Sequence, residues 1–207
     1  MYSKELGINF FGNESNKKTK LKKIDILKNN INNFKIFLVI AGTNTSQIPG
    51  ISAAGLNAKS RRITALADAE FLLMGASKDH KYKLPPLNAG VTPALISHVC
   101  SKLLNVYPVI VPLGIEVKPH FNHLIVEDRD LGPSNCLSTG KSMPRDRVVN
   151  LYKRGLEIGK SSKQPILISE SVPGGTTTAQ AVMEAFGLRV SNLVGSSLFK
   201  APRDLRR

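Results

Sequence analysis

The chain has 207 residues, 42% of them hydrophobic, which is enough for one full domain with its own core. Its formal net charge of +14 gathers at the ends: residues 1–35 carry eight Lys against Glu5, Glu14 and Asp25, or +5, and residues 200–207 add +3. Two cysteines, Cys100 and Cys136, without a C-x-x-C pairing support neither a disulfide framework nor a zinc ribbon, and no run approaches the roughly 20 apolar residues that cross a bilayer, so the chain reads as a cytoplasmic globular protein.

Residues 1–35 are expected to form a basic N-terminal arm, partly disordered over about the first 20 positions and partly helical. Aromatic residues do not interleave with its lysines, so the arm reads as a solvated lead-in rather than a nucleic-acid contact. "FKIFLVIAG" lies too far along the chain to be the apolar part of a signal peptide and is expected as a buried strand ending at Gly42. After the loop "TNTSQIPGISAAG", the run "ITALADAEFLLMG" has helical spacing and a stop at Gly75. "LPPLNAG" is turn chemistry. Thr92 is expected to cap a helix over "ALISHVCSKLL", with Pro93 in its first turn and His98 packed beside the stripe of Leu95, Val99 and Leu103.

"YPVIVPLG" is the second strand, with Pro108 and Pro112 at its ends. His120 and His123, with Glu116 and Glu127 near them, invite a metal reading, but H-x-x-H on an extended segment sends the two rings to opposite faces, so no metal is expected. Ser142 is expected to cap a helix through "PRDRVVNLYKRGLEIGKS", with Pro144 in its first turn; "QPILIS" is the third strand and "TTAQAVMEAFG" a last helix closed by Gly187. Strands alternating with helices over residues 36–207 predict an α/β fold, three-layer α/β/α with a mostly parallel Rossmann-like sheet.

Ligands of such sheets collect beyond the carboxyl ends of the strands, where "ISESVPGGTTTAQAV" passes from strand to helix. Gly174 and Gly175 let the backbone approach a ligand, the first amides of the next helix suit a phosphate, and Thr176, Thr177 and Thr178 add hydroxyls, one of which can cap the helix instead. The plain alternative is a tight turn with a threonine cap and no ligand. Neither the lysine of a P-loop nor G-x-G-x-x-G is present. A carboxylate at Glu170, next to an anion site, opposes phosphate unless it accepts a proton or holds a ribose hydroxyl.

At this point the sequence resembles a known family. "ISESVPGGTTTAQAVMEAFG", with "AGTNTSQIPGISAAG", "LPPLNAGVTPALISHV" and "VGSSLFKAPRDL", is similar to nicotinate-nucleotide-dimethylbenzimidazole phosphoribosyltransferases, in the branch found in archaea and cyanobacteria. The resemblance implies a pentosyltransferase of cobamide (cobalamin) lower-ligand assembly. Such an enzyme moves 5-phosphoribosyl from nicotinate mononucleotide to a benzimidazole-type base, with no metal or organic cofactor. It implies that Gly174, Gly175, Thr176 and Thr177 receive the phosphate and ribose, that Glu170 stands beside the reacting bases, that Ser52 lines the base pocket, and that Asn88 and Gly90 form a glycine-rich turn. The better-known branch has Asp-His-Gly where this chain has Gly42-Thr43-Asn44, so those contacts do not carry over. Family members run longer and place their principal general-base glutamate further on, so residues 36–207 are expected to be an incomplete domain. The partners implied are the two small molecules, with room for a homodimer, and neither membrane nor nucleic acid. Two other functions compete: a diphosphate-dependent phosphoribosyltransferase, which favours paired acidic residues where only Glu170 stands, and a non-catalytic nucleotide- or nucleic-acid-binding module.

Overall fold

The computed structural model describes residues 2–3, 8–9, 17–30, 33–84, 92–191 and 193–195. In chain order these form a short antiparallel pair, β1 (Tyr2–Ser3) and β2 (Ile8–Asn9), then α1 (Lys17–Asn30), β3 (Lys35–Ala41), α2 (Ala58–Met74), α3 (Ala94–Leu104), β4 (Val109–Leu113), α4 (Arg145–Ser161), β5 (Ile166–Ser171) and α5 (Gly175–Ala185). The expected disorder over residues 1–20 falls mostly outside the described residues; residues 17–20 head α1 and are helical.

The sheet has three parallel strands in the order β4-β3-β5, the α/β arrangement that the alternating pattern predicts. Leu38 stands opposite Ile110 and Ser169, and Val39 opposite Val111 and Glu170. Leu38, Ile40 and Ile110 pack with Ala65, Leu66, Ala69 and Leu72 of α2 and with Tyr82 and Ile115 to make the core. Ile40, Ile51, Leu66 and Ile110 are fully buried; each such side chain contributes about 1.5–3 kcal/mol on leaving water. Pro112 falls inside β4, which is tolerated because β4 is an edge strand among the described residues.

Helix boundaries depart from expectation in four places. α2 begins before the apolar run, at Ala58, because Asn57 and Ser60 form a reciprocal capping box, with Ser60 N donating to Asn57 Oδ1 at 2.9 Å and Asn57 N to Ser60 Oγ at 3.0 Å. Pro93, not Thr92, is the N-cap residue of α3; the Thr92 hydroxyl still accepts from Ala94 N at 3.2 Å. Pro144 caps α4 in place of Ser142, whose carbonyl instead accepts from Asn135 N. α5 starts at Gly175, capped by Gly174 in the left-handed region at φ 74° rather than by a threonine hydroxyl. Gly75 ends α2 as expected, at φ 73°.

The C-terminal end of α2 is held by two histidines. His98 Nδ1 donates to Leu72 O (2.8 Å) and His80 Nε2 to Gly75 O (2.7 Å), with the Phe71 ring between them. Buried Glu70 accepts from Lys81 N and Tyr82 N at 2.9 and 2.8 Å and faces His120 Nε2 at 3.0 Å. Glu70 thus clasps the segment after α2 to the one after β4. Burial, then the Glu70 charge, push the Tyr82 phenol up.

Candidate functional site

The carboxyl ends of the three strands meet two loops. In the first, between β3 and α2, Thr43 Oγ1 accepts from Thr45 N, and Thr45 and Ser46 are buried. Arg61, on the first turn of α2, threads this loop from within. Its guanidinium is 5% exposed and donates to the carbonyls of Ser46, Gln47, Ile48 and Gly55. Among the described residues it has carbonyl partners and no carboxylate, so its charge remains uncompensated. The neighbouring Arg62 is spent on Glu116, which it grips through both carboxylate oxygens at 2.9 and 3.0 Å.

The second loop is the β5–α5 turn. The left-handed φ of Gly174 needs a glycine, and a Cβ built there would stand 3.7 Å from Ser46 Cα and 3.8 Å from Ile51 Cγ2. The turn therefore rests on the first loop, and a narrow crevice of about 20 Å³ between them is lined by Gly42, Asn44, Ser46, Arg61, Arg62 and Pro173 among others. Glu170 is exposed on β5, and its Oε2 lies 3.4 Å from where a Gly175 Cβ would be. The carboxylate so sits beside the first turn of α5.

The sequence-predicted residues are thus partly assembled. Glu170, Gly174, Gly175, Thr176 and Thr177 form one turn, and Ser52, beside the Ile51 that the turn touches, is buried with its Oγ accepting from Ala54 N at 3.1 Å. Asn88 and Gly90 lie outside the described residues. One feature of the expected anion site needs correction. Gly175 N already donates to Val172 O (2.8 Å) and Thr177 N to Gly174 O (3.0 Å), so two amides of the turn are used internally. What the turn offers instead is Thr177 Oγ1, a buried hydroxyl with no hydrogen-bond partner among the described residues.

Two residues escaped sequence reading. Arg61 is one. The other is Asp68 on α2, whose Oδ1 accepts from the Thr92 hydroxyl at 2.7 Å and which also takes the Ser171 hydroxyl, tying α2, the start of α3 and the end of β5 together. Burial holds its carboxyl above the usual carboxylate range, against the lowering effect of those hydroxyls. In sequence Arg61 looks like a solvent-facing charge of a polar helix start and Asp68 like a solvent-facing charge amid an apolar run, and only the fold turns them inward.

A larger cavity of about 580 Å³ lies beside the end of β4, lined by Pro112, Ile115, Lys118, His123, Ile125 and Arg129 among others, and holds none of the predicted site residues. Arg147 grips Glu127 there through Nε and Nη2, at 2.8 and 2.7 Å, and Glu127 also accepts from Gly114 N. His120, His123, Glu116 and Glu127 thus go to four separate partners: Glu70, the Phe121 carbonyl, Arg62 and Arg147. Among the described residues no group of three or more His, Cys, Asp or Glu is placed to hold a metal, and no helix is long and apolar enough to cross a membrane.

No family model matches the chain. Among curated proteins it is 86% identical over all 207 residues to a "UPF0284 protein" of Prochlorococcus marinus strain MIT 9215. The chain is similar to this UPF0284 protein over its whole length. A UPF0284 protein from the MED4 strain of the same species is 66% identical over 206 residues, and one from Parasynechococcus marenigrum strain WH8102 is 47% identical over 84% of this chain. The chain spans about half the length of these relatives, 54% of the first two and 44% of the third.

Proposed function

We propose that the chain forms part of a UPF0284 phosphoribosyltransferase that moves 5-phosphoribosyl from nicotinate mononucleotide to a benzimidazole-type base. The observation that carries this reading is the pairing, in one turn at the carboxyl end of β5, of an exposed carboxylate, Glu170, with a Thr177 hydroxyl that has no hydrogen-bond partner among the described residues and a left-handed Gly174. The resemblance of "ISESVPGGTTTAQAVMEAFG" to that family supports the choice of substrate.

In this reading the phosphate sits at the mouth of the crevice, beside Pro173 and the Arg61 charge, because the about 20 Å³ within it holds no more than a water. The bond from ribose C1′ to the nicotinate ring nitrogen breaks, and its electron pair neutralises the positive ring, so the leaving group needs no acid. A ring nitrogen of the azole bonds to C1′ and the azole's N–H proton passes to a carboxylate, for which this chain offers Glu170 alongside the glutamate that the resemblance places further on. The same carboxylate stabilises positive charge building on the ribose in the transition state. The resemblance assigns Ser52 to the base pocket and calls for no metal or organic cofactor.

The test uses this chain joined to the remainder of the MIT 9215 relative, with titration calorimetry for nicotinate mononucleotide and a nicotinate-release assay. Glu170→Gln is expected to lower turnover with affinity within a few-fold, whereas Gly174→Val weakens binding. Unchanged turnover in Glu170→Gln would make Glu170 a helix-end residue only, and unchanged binding in Gly174→Val would move the phosphate elsewhere.

A further inference from the structure

The core draws its residues from Leu38 to Phe121, with none from α4, β5 or α5. From Arg145 to the end of the described residues, only Pro173, Gly174 and Gln180 are buried. Yet these last elements are built with an inside. On α4, Val148, Leu151, Tyr152, Gly155, Leu156 and Gly159 share one face by helical spacing, and Tyr152 is 71% exposed. A Cβ at Gly155 or Gly159 would meet nothing within 4 Å. Glycine inside a helix costs about 1 kcal/mol relative to alanine, a cost that is offset where another element's backbone comes close. Ile168 on β5 is 72% exposed and Phe186, after α5, 82%. β5 is moreover an edge strand among the described residues, open along the side away from β3.

We propose that the open edge of β5 and the apolar faces of α4 and α5 seat the segment by which the longer relatives exceed this chain, and that a strand of that segment pairs with β5 beside Glu170. Three observations select this occupant. The relatives share this stretch at up to 86% identity while it makes up 54% of their length, so they carry the same apolar surface together with a segment of comparable size. That segment is covalently linked, which gives it an effective concentration no free partner matches. Apolar faces on three successive elements exceed what a soluble domain leaves to water. The pairing would enclose Glu170 and lower the dielectric around it, so that its charge acts more strongly on a bound ligand. None of this depends on which reaction the site performs.

Amide hydrogen exchange in the intact MIT 9215 relative, compared with this 207-residue chain, tests the proposal. The amides of Ile166–Ser171 are expected to exchange about 100-fold more slowly in the intact protein, while those of Leu38–Ile40 differ little. Ile168→Lys in the intact protein is expected to cost β5 about ten-fold of that protection and to leave Leu38–Ile40 unchanged. Equal exchange of β5 in the two proteins overturns the proposal. So does concentration-dependent protection of β5 in the 207-residue chain with a dimer in sedimentation, which would assign the surface to a second copy.

Discussion

Gly42 ends β3 at the mouth of the crevice, and replacing it with alanine tests how tightly the strand ends are locked. A Cβ there would stand 2.3 Å from Gly114 O and 3.3 Å from Gly114 C, against the roughly 3.3 Å at which carbon and a carbonyl oxygen meet. About 1 Å of relief is needed, and both neighbours are backbone. Gly114 cannot swing freely, because it sits at φ 58° with Gly132 O and Gly42 O close on its own open side. Overpacking of this kind costs about 1–3 kcal/mol, and a rigid backbone neighbour puts the expected loss near the upper end, about 3 kcal/mol. Gly140→Ala is the control: it is left-handed at φ 65° and ψ 0° and nothing lies within 4 Å, so its cost is the left-handed penalty alone, about 1 kcal/mol. Urea unfolding of the chain, followed by far-ultraviolet circular dichroism at matched m, measures both. In thermal melts the two losses correspond to about 6–12 °C and 2–4 °C for a chain of this size. If Gly42→Ala loses no more than Gly140→Ala, the strand ends are not locked and the geometry of the crevice is wrong.

Asp68 gives a pH dependence. Because burial raises its carboxyl above 3.8 in the folded chain, the fold holds that proton more tightly than the unfolded chain does, so its share of stability grows as pH falls through the folded value toward 3.8. Unfolding series at pH 7, 6, 5 and 4 should show wild type gaining on Asp68→Asn as the pH falls below the folded value; curves parallel down to pH 4 would deny the shift. Arg147→Ala strands the buried carboxylate of Glu127 and is expected to cost about 3–5 kcal/mol, whereas Arg62→Ala, from an exposed pair, costs less than about 1 kcal/mol; comparable losses by denaturant titration would overturn the contrast. The Ser138 hydroxyl, which donates to Cys136 Sγ at 3.2 Å, lowers that thiol. Ser138→Ala should therefore slow iodoacetamide alkylation of Cys136 at pH 8 by about three-fold, with exposed Cys100 as internal reference; an unchanged rate would rule out the hydroxyl's role.

Much of the sheet was legible in sequence because its strands are continuous apolar runs between loops, and such runs have no alternative inside a small domain. Lys35–Ala41 and Ile166–Ser171 lie where the patterns "IFLVIAG" and "QPILIS" put them. The start of α2 was not legible from apolar periodicity, since Ala58 to Arg62 is polar and the deciding signal, Asn57 with Ser60, is a hydrogen-bond pair rather than a hydrophobic one. At the site, the composition of the β5–α5 turn was visible, but the use of the Gly175 and Thr177 amides within the turn depends on backbone torsions. Arg61 and Asp68 were hidden for a related reason: a charge on a helix reads as solvated until a loop folds over it. His98 shows the reverse case, a histidine expected to pack that does so by bonding the Leu72 carbonyl.

The strand order has a bearing on how the chain is made. β3 pairs on one side with β4, after α2 and α3, and on the other with β5, Lys35 meeting Ile166 across most of the described chain. Synthesis from the N-terminus delivers β3, α2, α3, β4 and the segments that follow α2 and β4 first, and these already contain every residue of the core cluster. A nascent chain can therefore consolidate that unit on the ribosome before β5 emerges, and adds β5 afterwards at a large loop-closure cost. During that interval β3 presents one unpaired side, which makes the completed β3–β4 unit the species that a chaperone or a misfolding partner meets.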